Sequence, residues 1–130
     1  VKILLDTNAY SDFRQFGKWK DVLARATEIL MPSIVLGELK YGFAKGNIQG
    51  ANLRKLRQFL ETDRVSMATI SDATTDAYAQ LFLYLKHQGI PIPTNDVWIS
   101  ALALEHEATL CTRDRHFENL PQIDTLFEGS

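Results

Sequence analysis

The sequence predicts an α/β domain built on a parallel β-sheet, and three observations carry that reading. Short apolar runs alternate with longer amphipathic ones along the chain. The first run, Lys2-Ile3-Leu4-Leu5, is apolar for three residues in succession, as a strand covered on both faces is. Proline, glycine and asparagine punctuate the joints between runs, at Pro32, Gly46-Asn47, Gly89, Pro91 and Pro93.

Lys2-Ile3-Leu4-Leu5 is the first expected strand, broken by Asp6-Thr7-Asn8. Trp19, Val22, Leu23 and Ala26, three and four residues apart, predict a helix around 19–28. Ile29-Leu30-Met31 reads as a second strand ended by Pro32, after which Ser33 suits the N-cap of a helix carrying Val35, Leu36, Leu39 and Phe43. Gly46-Asn47 closes that helix. Leu53, Leu56, Phe59 and Leu60 mark the next one, with Arg54, Lys55 and Arg57 on its polar side. A strand over 65–70 follows, then a long helix capped by Asp72 and ended by Gly89. Ile90-Pro91-Ile92-Pro93 is an extended link, because two prolines forbid helix there. Thr94 is the expected cap of a helix burying Val97, Ile99, Leu102 and Ala103, and Thr109-Leu110-Cys111-Thr112 is the last clear strand. The tail, with Phe117, Leu120, Ile123 and Leu126, has no period.

The length of 130 residues fits one domain, residues 1–130, able to bury roughly two-thirds of its unfolded surface. No apolar run approaches the roughly 20 residues that cross a bilayer, and the start becomes acidic too soon for a signal peptide. One cysteine, Cys111, allows no internal disulfide, which fits a reducing cytoplasm. A net charge of −2 argues against a partner held by charge alone, unless the acids gather round a cation.

Three acids fall where such a fold places chemistry, in the crevice beyond the carboxyl ends of the strands. Asp6 ends the first strand, Asp114 follows the last, and Asp96 sits in a first helical turn, whose dipole favours a carboxylate. Glu38 lies one turn into its helix, beside Leu39. Singly, each has an ordinary structural use as a turn, cap or solvated residue. Jointly, convergent carboxylates repel unless a cation sits among them, and an oxygen-only set suits Mg²⁺ or Mn²⁺. Asn8, Asn95 and Thr112 would add neutral oxygens or orient the carboxylates.

The segments Leu5-Asp6-Thr7-Asn8, Gly37-Glu38-Leu39, Thr94-Asn95-Asp96-Val97-Trp98-Ile99-Ser100-Ala101 and Thr112-Arg113-Asp114-Arg115-His116-Phe117 together resemble the PIN-domain family, and more narrowly the VapC-type toxins of toxin–antitoxin pairs. The likeness runs nearly end to end. It implies a PIN-like fold with a central parallel sheet between helices. It implies Asp6, Glu38, Asp96 and Asp114 as the catalytic and metal-binding acids of a Mg²⁺-dependent endoribonuclease, with Mn²⁺ as a substitute, and Thr7, Asn8, Asn95 and Thr112 as supporting polar groups. Products would carry a 5′-phosphate and a 3′-hydroxyl. A small antitoxin partner and a homodimer are implied too. Some members carry a further acid shortly after the position of Asp114, where Asn119 stands here. Arg14, Lys18, Lys20, Lys40, Lys45, Arg113 and Arg115 are the cations that could meet RNA, with Arg113 and Arg115 nearest the expected cut.

Other devices lack their residues. There is no Gly-x-Ser-x-Gly elbow, no Walker-type lysine, and no second histidine to complete a zinc motif after His106-Glu107. His87, His106 and His116 read as surface or packing residues, Cys111 as core, and Trp19 and Trp98 as core or dimer anchors. Two alternatives stay open. One is phosphotransfer with Asp6 as nucleophile, although Asn8 stands where a second aspartate belongs. The other is a non-catalytic partner-binding module.

Overall fold

A computed structural model describes residues 1–127. The strands are β1 (Lys2–Leu5), β2 (Glu28–Pro32), β3 (Val65–Ala68), β4 (Thr109–Thr112) and β5 (Thr125–Phe127). All four pairings are parallel, in the order β3-β2-β1-β4-β5. The helices are α1 (Thr7–Phe16), α2 (Lys20–Arg25), α3 (Ser33–Lys45), α4 (Gln49–Leu60), α5 (Asp72–Gln88) and α6 (Thr94–His106), with a 3-10 turn at Arg115–Asn119. The expected parallel sheet flanked by helices is the observed architecture.

β1 is the central strand and its Ile3, Leu4 and Leu5 are buried, which explains the unbroken apolar run. Met31, Leu81, Leu102, Leu110 and Phe117 are among the fully enclosed side chains that join it in the core. The chain moves from β1 to β2 on one side and later enters β4 on the other. The crevice between the carboxyl ends of β1 and β4 is therefore the topological switch point of the sheet.

Four local expectations are corrected. Asp6-Thr7-Asn8 ends β1 but starts α1 at once, because the Asp6 carboxylate accepts the Ala9 N–H at 2.8 Å and serves as the N-cap. The helix expected over 19–28 is shorter: Trp19 has a left-handed φ of 71°, and Glu28 already belongs to β2. Ser33 and Thr94 are first helical residues behind Pro32 and Pro93, and the Ser33 hydroxyl instead donates to Ala68 O at 3.1 Å, tying α3 to the end of β3. Ser71, not Asp72, caps α5, in a capping box with Thr74. Gly89 ends that helix as expected, with φ 69°. The tail yields β5, an edge strand without a buried face. No helix among the described residues is long and apolar enough to cross a membrane.

Candidate active site

Asp6 follows the end of β1 with its side chain buried, only 3% exposed. Both carboxylate oxygens are engaged: Oδ1 accepts from Ala9 N–H and Oδ2 from the Thr112 hydroxyl. Thr112 is delivered by the β1–β4 register, which sets Leu5 opposite Cys111. The same Thr112 oxygen accepts the Asp114 N–H at 3.0 Å, so one buried hydroxyl ties the two strand ends together. Asp114 Oδ2 accepts the Asn8 amide at 3.3 Å.

Glu38 enters from α3. Its Oε1 accepts the Thr7 hydroxyl at 2.5 Å and its Oε2 accepts the Asn95 amide at 3.3 Å, linking α1, α3 and α6. Asp96 lies in the first turn of α6, with Oδ2 3.0 Å from His116 Nε2. That contact is at ion-pair distance but not in hydrogen-bond alignment, and among the described residues the enclosed Nε2 has no hydrogen-bond partner. Asp6, Glu38, Asp96 and Asp114, with Thr7, Asn8 and Asn95, line one cleft of about 500 Å³. Thr112 backs it from below through Asp6.

The electrostatics follow from this convergence. Burial pushes the Asp6 carboxyl up to about 6, with Asp114 and Asp96 adding to the rise and the Thr112 and Ala9 hydrogen bonds opposing it. Burial also raises Asp96, and Glu38 and Asp114 add to it, while His116 opposes. Uncompensated negative charge in a half-enclosed crevice is a demand for a cation. All four acids offer hard oxygen donors, which fit Mg²⁺ or Mn²⁺. Among the described residues no three His, Cys, Asp or Glu side chains close into a ready-made metal cage. An ion here would keep waters on part of its shell, as Mg²⁺ habitually does.

The two arginines expected beside the cut are engaged elsewhere. Arg113 pairs with the buried Asp12 at 3.1 Å, and Arg115 lies 3.7 Å from Glu118 with its guanidinium over the Phe127 ring at 4.4 Å. Sequence reasoning gives Asp12 no role and reads His116 as a surface or packing residue. Only the nearness of His116 to Asp114 in the chain signalled the site, since its contact lies 20 residues away at Asp96. Cys111 is buried, and burial followed by the nearby Asp6 pushes its thiol up to about 12, so it is inert packing. Trp19 is core, and Trp98 stacks on Tyr78 with centroids 3.8 Å apart.

The chain matches the PIN domain family over residues 3–123. It is 34% identical to Ribonuclease VapC2 of Rickettsia felis over 104 residues, 79% of this chain and 76% of that one. The structure of VapBC2 from Rickettsia felis bound to a DNA fragment from their promoter superposes with a TM-score of 0.84 at 29% identity, across 98% of this chain and 99% of that one. VapBC-5 of Mycobacterium tuberculosis, a member of the VapBC family of toxin-antitoxin systems, shares the fold at a TM-score of 0.73 and 19% identity, across 97% of this chain and 98% of its own. The chain belongs to the PIN-domain family, and its relatives include proteins named as VapC ribonucleases.

Proposed function

We propose that this protein is a Mg²⁺-dependent endoribonuclease, with Mn²⁺ able to substitute, and the toxin of a cytoplasmic toxin–antitoxin pair. One observation carries the reading: four carboxylates from four separate segments face a single cleft at the switch point of the sheet. The relative named Ribonuclease VapC2 and the VapBC2 assembly support RNA as substrate and a small antitoxin as partner. A homodimer is part of the same proposal.

Asp6 and Asp96 are the first ligands in this reading, with Glu38 and Asp114 completing the set. When bound, the ion supplies positive charge to the scissile phosphate and makes water more acidic. Asp6, clamped at both oxygens, holds a fixed position in the crevice. Glu38, braced by Thr7 and Asn95, and Asp114, braced by Asn8, orient the attacking water. Water oxygen joins phosphorus and loses a proton to solvent, the bond to the 3′ oxygen breaks, and that oxygen takes a proton from solvent water. The products are a 5′-phosphate and a 3′-hydroxyl.

The phosphotransfer alternative fits less well. A nucleophilic aspartate at a strand end is normally paired with a second aspartate two residues on, and Asn8 stands there. The deciding experiment compares RNA cleavage by wild type and Asp96→Asn, each with Mg²⁺ and with EDTA, followed by mapping of the ends. Divalent-dependent 5′-phosphate ends from wild type alone are expected. Equal cleavage by a folded Asp96→Asn defeats the assignment, and absence of wild-type turnover with intact partner binding favours the non-catalytic module.

A further inference from the structure

Positive charge is unevenly placed along this chain. Residues 39–60 contain Lys40, Lys45, Arg54, Lys55 and Arg57 and no Asp or Glu, leaving nine basic against sixteen acidic residues elsewhere. None of the five pairs with an acid among the described residues. The stretch is the second half of α3 together with α4, and it begins one residue after Glu38.

Helix α3 borders the acid cleft through Glu38 and, together with α4, a second cavity. On α1, Asn8, Ser11 and Gln15 are spaced three and four apart and so share a face. Asn8 lines the acid cleft, while Ser11 and Gln15 line a cavity of about 250 Å³ whose other walls include Phe43, Asn52 and Lys55. On α3, Glu38, Tyr41 and Lys45 repeat that spacing, covering ~10 Å of helix. Tyr41 is 66% exposed, and Lys45 Nζ lies 4.7 Å from its ring centroid. A Cβ at Gly42, four residues on from Glu38, would meet nothing within 4 Å, so nothing packs on that point of α3.

We propose that this α3–α4 hairpin is the surface that holds single-stranded RNA beside the scissile bond, which rests on the ribonuclease reading above. The strand leaves the acid cleft along the α1–α3 groove, its phosphates meet Lys45 and Lys55, and an unstacked base lies on Tyr41. Unpaired lysines beside an exposed tyrosine suit a strand that alternates charge with flat rings. A duplex keeps its bases stacked and cannot use the ring or the cavity. With Arg113 and Arg115 committed to Asp12 and Glu118, the hairpin offers a cluster of cations that pair with no acid among the described residues.

The test measures RNA binding in the Asp96→Asn background, by fluorescence anisotropy of a labelled single strand across a salt series. Adding Tyr41→Ala, Lys45→Gln and Lys55→Gln is expected to weaken binding at least ~10-fold and to lower the salt slope by about 1.4, two phosphate contacts' worth. The pair Arg25→Gln and Lys86→Gln removes equal charge elsewhere and should change the slope by less than half as much. Lys45→Arg with Lys55→Arg should bind like the parent, which separates lost charge from lost folding. An unchanged affinity in the folded triple variant overturns the proposal, as does equally tight binding of a duplex or loss of only a protein partner. In wild-type Asp96, hairpin-dependent binding without Mg²⁺-dependent cleavage would sink the ribonuclease reading and leave this surface standing.

Discussion

His116 Nε2 faces Asp96 Oδ2 across 3.0 Å, and the enclosed nitrogen has no hydrogen-bond partner among the described residues. A group that steadies a metal-ligating carboxylate typically contributes 10- to 100-fold in metal affinity or activity. His116→Ala should therefore raise the Mg²⁺ concentration for half-maximal cleavage by about tenfold, while His116→Asn, which keeps an N–H, recovers part of it. Mg²⁺ titration of initial rates checks this. A His116→Ala variant with unaltered Mg²⁺ dependence would show the contact to be idle.

Asp6 makes stability depend on pH in a predictable direction. Its carboxyl is raised from 3.8 to about 6, so the folded state holds the proton more tightly than the unfolded chain. The cost of ionising it is absent below pH 4, grows between 4 and 6, and is complete above 6. Without metal, Asp6→Asn should be the more stable protein at pH 7, by at most about 3 kcal/mol, and the gap should close toward pH 4. Cleavage should be lost. Thermal melts in EDTA at several pH values, with circular dichroism, measure the gap.

Thr112 serves two masters, Asp6 Oδ2 as donor and Asp114 N–H as acceptor. Thr112→Val keeps the shape and removes both bonds. It should destabilise the fold by about 1–3 kcal/mol and slow cleavage, since two strand ends lose their tie. Urea unfolding and single-turnover rates should move together.

Arg113→Ala should damage folding more than RNA handling. It strands the carboxylate of Asp12, whose side chain is 6% exposed, although the half-exposed arginine limits the loss to about 1–2 kcal/mol. Cleavage per folded molecule should hold within twofold of wild type, about the scatter of such assays. A large rise in KM at unchanged stability would instead put Arg113 on the substrate.

Much of the fold was legible because its elements carry regular patterns. The runs at Ile3-Leu4-Leu5 and Ile29-Leu30-Met31 read as strands, and both are buried in the sheet. Helix α1 escaped because Asp6-Thr7-Asn8 has the composition of a turn, and the bond that makes Asp6 a cap appears only once Ala9 is in place. β5 escaped because an edge strand needs no buried face. The acids that line the cleft could be named from their motifs. The groups that hold them, Thr112 under Asp6 and His116 against Asp96, meet across 106 and 20 residues, a pairing that pattern alone does not encode.

The central strand β1 is made first, and β4, its neighbour on one side, follows more than a hundred residues later. A ribosome building this protein thus exposes Asp6 long before Thr112 or Asp114 exists. Truncated or half-emerged chains lack part of the cleft and the tie beneath it, so the four acids can face one another only once Asp114 has been added.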